Sequence, residues 1–306
     1  MDFELRDRQV RLRAFEFLAE QAALHGEVLP WPLLVRGFDF EGQRVPLASQ
    51  QGIFKPAVFR EIPLSIRTAP VAPGEAPPYD DAMEADGLLL YRYRGTDPRH
   101  RDNVGLRLAM ERQVPLVYLY GVVAGEYLPM WPVYVVNDDP ADLCFKVAVD
   151  DRKLGAAPPP AGDVAAEARR SYVTRVTVQR LHQEAFRQRV LRAYQERCAI
   201  CRLRHAELLE AAHILPDGHP RGEPIVPNGL ALCTLHYKAF DRHILGVRPD
   251  LVVEVRRDIL EETDGPMLQH GLQEIAGTAI RAPRPERLRP RADFLEERYE
   301  MFRRAG

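Results

Sequence analysis

Two short pairs of soft ligands constrain this chain more than any other feature of it. Cys198 and Cys201 are separated by two residues, Cys233 and His236 again by two, and thirty-one residues lie between the pairs. Each pair fits on a tight turn, and together they supply the tetrahedral donor set that zinc prefers. All four positions are filled by protein, so no site is left open for water. The expected Zn2+ is therefore structural, holding the ends of the intervening segment together. The remaining cysteine, Cys144, lies in an apolar, strand-like run. Grouped cysteines in a chain read as cytoplasmic favour metal over disulfides. The alternative is a chance arrangement of buried thiols.

At 306 residues the chain has room for two domains, each able to bury its own core. No apolar run approaches the roughly 20 residues needed to span a bilayer, and the start, MDFELRDRQVRLR, is charged. No membrane partner is expected, and the cytoplasm is the expected compartment. The net charge of -2 argues against a dedicated polyanion binder, but charge is unevenly spread. Between Arg169 and Arg204 stand ten arginines against two acids, Glu184 and Glu196, a local charge of +8. Such a window could supply several phosphate contacts, and arginine makes planar bidentate ones. A general bias toward arginine, 38 against four lysines, explains the choice of base but not its excess over acid.

The first segment, ELRDRQVRLRAFEFLAEQAALHG, places Val10, Phe17, Leu18 and Leu24 at near-helical spacing and ends in Gly26, a suitable stop. Short apolar runs broken by Gly and Pro follow, among them WPLLVRGFDF, DGLLLYRY, VPLVYLYGVV and YLPMWPVYVV. They read as strands of a mostly antiparallel sheet or open barrel, with one helix near 103–112. The run LGAAPPPAGD cannot continue a helix or a central strand, which makes it the best domain boundary. The expected division is a β-rich domain over 1–153, a Pro-rich linker over 154–170 and a second domain over 171–306. Beyond the linker, Leu181, Phe186, Val190 and Tyr194 form the apolar stripe of an amphipathic helix that leads into the first cysteine pair.

Between and after the knuckles the chain reads EAAHILP, then PNGLALC, then LHYKAFD. These segments resemble the HNH endonuclease motif, a ββα-metal fold stapled by zinc, and the likeness extends over most of 175–305. The resemblance implies an α+β protein and metal-assisted hydrolysis of phosphodiester bonds. It makes His213 the general base, an imidazole titrating near neutrality that takes a proton from water. Asn228 would hydrogen-bond the loop backbone and so fix the geometry of the base; a plain Asn-Gly turn is the alternative. Asp217, His219 and Arg221 are read as positioning or phosphate-contacting residues. The family histidine that binds the catalytic Mg2+ or Mn2+ falls at Tyr237, while His236 takes the zinc position. A neutral phenol is a poor ligand for a hard cation. Asp241, four residues later on the same helical face, becomes the candidate metal ligand, with His243 as a substitute. The alternative for Asp241 is a brace at the helix end.

In the first domain, YDDAMEADGLLLYRYRGTDPRHRDNVGLRLA and PLVYLYGVVAGEYLPMWPVYVV resemble restriction endonucleases carrying an SRA-like domain of the PUA type. Such domains flip a modified cytosine out of the duplex and enclose it between aromatic rings, with a carboxylate reading the base edge. Tyr79, Asp80, Asp81, Tyr91 and Tyr93 are the candidates for the base, and Arg92, Arg94 and Arg99 for the backbone. Ordinary strand packing is the alternative for each tyrosine. A loop at Ser49–Gly52 could enter the duplex. The combined expectation is a modification-dependent DNA restriction endonuclease, acting on double-stranded DNA that carries 5-methylcytosine or 5-hydroxymethylcytosine. Its rival is a modified-DNA reader or regulator whose nuclease domain is degenerate. Cutting both strands with one site per chain would favour a homodimer, although no interface pattern is visible.

Overall fold

The computed structural model describes residues 3–70, 88–150, 164–263 and 265–305. The chain divides into two compact units, Met1–Leu181 and His182–Gly306. Among the described residues no helix is long and apolar enough to cross a membrane.

The first unit opens with helix α1 (Phe3–His25). Gly26 stops it in the left-handed region, φ 87°, where its amide still donates to the Ala22 carbonyl at 2.9 Å. Val10, Phe17 and Leu18 of the expected stripe are buried, with Ala14 between them. Leu24 departs from it and is 73% exposed, because the last turn extends beyond the core.

Seven strands follow: β1 (Leu29–Pro30), β2 (Ile53–Phe54), β3 (Ser65–Arg67), β4 (Leu89–Arg92), β5 (Leu116–Val123), β6 (Glu126–Asp139) and β7 (Cys144–Val149). They form one sheet in the order β2-β3-β5-β6-β7-β4, with β1 added to β6. All pairs are antiparallel except β3 with β5. Every residue of β5 is buried, as an unbroken apolar run requires of a strand covered on both faces. Helix α2 (Arg101–Glu111) packs against β6 through a face that buries Leu106 and Ala109.

Two charged tethers fasten helices to this sheet. Arg11 of α1 is 1% exposed and donates to the carbonyls of Pro63 (2.9 Å) and Pro115 (3.1 Å), which precede β3 and β5. Asp150, whose side chain is fully covered, follows β7 and accepts from Arg169 and Arg170 at 2.9 Å each. Both arginines lie near the start of helix α3 (Val164–Ala193), and Thr174 one turn later receives the Val149 amide at 2.9 Å. Of the segment read as a linker, 154–163 lies outside the described residues, whereas 164–170 is helical. The helix begins this early because its first turns are tied to the end of β7. α3 continues across the division between the units.

In the second unit β8 (Leu209–His213) and β9 (Gly229–Cys233) pair antiparallel, from Leu209 opposite Cys233 to His213 opposite Gly229. Helix α4 (Thr234–Asp241) starts directly after Cys233. A second hairpin, β10 (Leu245–Val247) with β11 (Val253–Val255), and helix α5 (Ala292–Ala305) complete the unit. Phe186, Val190, Leu230, Leu232, Phe240 and Leu295 belong to its core. Asn228-Gly229 makes no hairpin turn, since Gly229 is extended at φ -130°. Glycine stands there for space: a Cβ would lie 2.5 Å from Val190 and 3.0 Å from Phe186, so α3 rests directly on the hairpin.

Removing the carboxylate in Asp150→Ala leaves Arg170, whose side chain is 13% exposed, without its buried counter-charge. The expected cost is about 3 kcal/mol, read as a lower urea midpoint for the first unit.

Candidate functional site

The β8–β9 hairpin has chemistry at both ends. Over five residues at about 3.4 Å each, its two ends stand roughly 14 Å apart.

At one end, Cys233 closes β9 and caps α4, and His236 lies in the first turn of that helix. The Cys198–Cys201 knuckle meets them. The His236 Nδ1 lies 3.4 Å from the Cys198 Sγ and 3.2 Å from the Cys233 Sγ, and the Cys201 and Cys233 sulfurs are 3.9 Å apart. All four ligand atoms fall within 4.8 Å of one another. Zinc bonds of about 2.0 to 2.3 Å imply tetrahedral edges of roughly 3.3 to 3.8 Å, so the donor set fits this ion. The His236 Nε2 lies 2.8 Å from the Gly271 carbonyl oxygen, which leaves Nδ1 directed at the thiols. Gly271 sits in a π-helical turn, Gln269–Gln273, where a Cβ would lie 2.8 Å from Leu235. Hydrogen bonds from Cys201 and Cys233 hold the Cys198 thiol well below its ordinary pKa. Burial opposes a charge on His236, yet the neighbouring sulfurs outweigh it and push this group up to about 10. The same contacts push the Cys201 and Cys233 thiols up, so the fit to a cation rests on the donor set and its distances.

At the other end, His213 ends β8. Its ring stacks on Phe186 at 3.9 Å with 17° between planes, and its Nε2 is buried without a hydrogen-bond partner. Burial lowers the His213 pKa, and the charge of Asp217 partly offsets this. Asn228 is fully buried and makes three bonds to the loop that leaves His213. It accepts from the Leu215 amide at 2.9 Å and donates to the carbonyls of Leu215 (3.1 Å) and Glu223 (3.0 Å). Within that loop His219 and Arg221 reach acids of α5, although the Arg221 side chain is still 46% exposed. The His219 Nε2 is 2.8 Å from Glu297, and Arg221 pairs with Asp293 at 2.9 Å and with Glu297. These contacts brace the loop against α5.

Tyr237 is half-buried. Burial, with the charges of Asp241 and Glu210, raises its pKa, so it stays a neutral phenol. The Asp241 side chain is 52% exposed and lies 4.0 Å from Arg242. His243 occupies the left-handed position that ends α4, φ 54°, with its own amide bonded to Phe240 and that of Ile244 to Ala239. Glycine usually fills such a site. The Nδ1 of His243 is buried without a partner. Arg298 of α5 donates to the Phe240 carbonyl at 2.9 Å and lies 4.7 Å above the Phe240 ring, securing the same turn. Among the described residues, the only cluster of three or more His, Cys, Asp or Glu ligands is the Cys3His set.

Of the first-unit candidates, Tyr79, Asp80 and Asp81 lie outside the described residues. Tyr91 and Tyr93 are 6% and 7% exposed and pack inward instead of forming an open cage. Tyr91 meets Tyr118 edge-on, while Tyr93 stacks on Phe145 at 4.6 Å with its hydroxyl on Asp138 and Arg107. Arg92 donates to the Asp142 carbonyl, and Arg94 pairs with Asp102. Five of the ten arginines in the basic window are engaged within their own units. Arg169 and Arg170 hold Asp150, Arg180 holds Glu27, and Arg187 and Arg189 reach backbone carbonyls of their own unit. Nothing in the sequence marked Gly271 or Arg298, and Phe186 was read only as part of an apolar stripe; each meets its partner across 27 or more residues of chain.

Residues 198–248 match the family described as HNH endonuclease. No curated protein matches the chain. Among solved structures, a chain described as "Modification dependent TagI restriction endonuclease" aligns at 17% identity over 82% of this chain and 85% of that one. The TM-score is 0.29, a level that does not establish a shared fold.

Cys201 is the exposed member of the cluster, so Cys201→Ser opens no core cavity. It is expected to lose bound zinc, measured by elemental analysis, and to speed amide exchange in β9.

Proposed function

We propose, taking residues 198–248 as an HNH endonuclease domain, that this chain is a metal-dependent endodeoxyribonuclease. The observation that carries the reading is the far end of the hairpin. There an imidazole with an unpartnered, buried nitrogen projects beside a loop whose backbone a buried asparagine ties down. Such a group is ready to take a proton, and its neighbours cost nothing to reorganise.

In this reading His213 accepts the proton of the attacking water, and Phe186 holds the ring in plane. Asn228 positions the base through the loop. Asp241 and the His243 Nδ1 are the ligands offered to Mg2+ or Mn2+, with water completing the shell. Bound there, the ion supplies charge stabilisation for the pentacovalent phosphate and the leaving oxygen. Tyr237, neutral and half-buried, can donate a hydrogen bond to a phosphate oxygen but does not replace an imidazole ligand. We further propose that residues 1–153 select the target as an SRA-like module and that the substrate is DNA carrying a modified cytosine. The pairing of such a module with a nuclease supports a role in restriction.

Tyr237 favours a second reading, a modified-DNA reader with a weak nuclease. Digestion of matched unmodified, 5-methylcytosine and 5-hydroxymethylcytosine duplexes with Mg2+ or Mn2+ separates the two. If none is cut, the enzyme reading fails.

Two outcomes are expected for an active enzyme. His213→Ala should lower cleavage by about 10² to 10⁴. The wild-type rate should hold to lower pH than an ordinary imidazole of pKa about 6.5 allows, because burial keeps His213 neutral. Asp217→Asn removes the charge that favours the protonated form, so the acid limb should move lower still in a pH–rate profile. For Tyr237→His, a gain below about tenfold would mean Asp241 and His243 suffice, and a gain of 10² or more would favour the reader.

A further inference from the structure

The arginines of the second unit are unevenly paired. Arg248, Arg256, Arg257, Arg291 and Arg304 each stand 2.5 to 3.3 Å from a carboxylate. Six others, Arg197, Arg202, Arg204, Arg281, Arg284 and Arg287, have no ion-pair partner among the described residues. They fall in only two segments, the first zinc knuckle with its flanks and the run RAPRPERLRPR over 281–291. The backbone joins these segments. The Arg281 amide donates at 2.8 Å to the carbonyl of Ala199, which lies between Cys198 and Cys201.

From that point the run crosses to the other end of the β8–β9 hairpin. Its Glu286–Leu288 turn packs against the turn Val226–Asn228, and the Arg291 amide donates to the Pro227 carbonyl at 3.1 Å. The run therefore links the closed zinc site to the turn that holds Asn228. Pro283, Leu288 and Pro290 are buried and anchor it, whereas Arg281, Arg284, Arg287 and Arg289 are exposed. The Arg289 Nε donates to the Pro283 carbonyl at 3.3 Å, a bond that leaves its charge uncompensated. Over 196–207 and 281–289 seven arginines stand against three acids, Glu196, Glu207 and Glu286. That is a charge of +4 in a chain whose net charge is -2.

We infer that the proline-braced run and the zinc knuckle form one track for the phosphate backbone of duplex DNA, leading it toward the His213 end of the hairpin. Arginine offers a phosphate a planar pair of donors. These arginines give up no internal ion pair on binding, and three prolines leave the backbone of the run little freedom to lose. Extended backbone through proline rises about 3 Å per residue, which sets Arg281 and Arg284 up to about 9 Å apart. Each strand of a duplex carries a phosphate per about 3.4 Å of axis, so successive arginines can meet every second or third phosphate. Contacts of this kind position a duplex without reading its sequence. The inference rests on the DNA-directed reading above and puts a backbone grip on the nuclease unit itself.

The test uses the full chain with Ca2+ in place of a catalytic ion and follows anisotropy of a labelled duplex across a NaCl series. The double variant Arg284→Gln, Arg287→Gln removes two exposed charges of the run, and a quadruple variant adds Arg202→Gln and Arg204→Gln of the knuckle. The control, Arg257→Gln with Arg304→Gln, removes the same charge as the double from side chains that are 89% and 80% exposed and already hold acids. The slope of log K against log salt should fall by about 2 in the double and about 3 to 4 in the quadruple, because each phosphate contact contributes about 0.9. Affinity near 0.1 M salt should drop about 10- to 100-fold in the double and further in the quadruple. The control should keep the wild-type slope, and unlabelled duplex should compete far better than poly-glutamate of equal charge. An unchanged slope in both track variants, with the wild type binding or cutting DNA, overturns the track and leaves the nuclease reading standing. So does an equal fall in the control, or equal competition by poly-glutamate. A wild type that binds no duplex at low salt removes both.

Discussion

The contact between α3 and the β8–β9 hairpin supports the rest of the second unit. Gly229 lets Phe186 and Val190 reach the strand backbone, and Phe186 then serves as the platform under the His213 ring. The hairpin register puts Cys233 opposite Leu209 and His213 opposite Gly229. One short ladder thereby separates two incompatible demands. Closed coordination of zinc wants thiolates and no water, whereas a proton acceptor wants an unspent nitrogen. A one-residue slip in register would move both sets of side chains to the wrong face.

Around the end of α4 the electrostatics are finely divided. Asp241 raises the pKa of Tyr237 and favours a charge on His243, while burial and the nearby Arg298 lower that of His243. The phenol is kept neutral and the imidazole is kept available. Holding a histidine at a left-handed position that glycine usually fills implies compensation from its surroundings, and Arg298 supplies some through the Phe240 carbonyl. Tyr237 is therefore embedded in a local network rather than isolated.

Charge counted along the sequence does not say how much of it is paired within the fold. The ten arginines between 169 and 204 make a conspicuous window, yet Arg169, Arg170, Arg180, Arg187 and Arg189 are engaged with acids or carbonyls of their own units. Likewise Tyr91 and Tyr93, candidates for a base cage or for ordinary packing in the sequence, are buried at the edge strand of the sheet, where each ring has an aromatic partner. A strand's period says which residues share a face; what covers that face depends on elements far away in the chain.

By itself the sequence determined what spacing settles: the two knuckles, the order of histidine, asparagine and second knuckle, and the helix stop at Gly26. These depend on spacing, which no later packing alters. Tertiary structure alone decided that Phe186 lies under His213, that Gly271 orients His236, that Arg298 secures the turn after α4, and that the first turns of α3 belong to the sheet of the first unit. Each of these joins residues separated by many others. Which of the many sterically allowed long-range pairings is made follows from burying apolar faces together, and that is a property of the assembled core rather than of any segment.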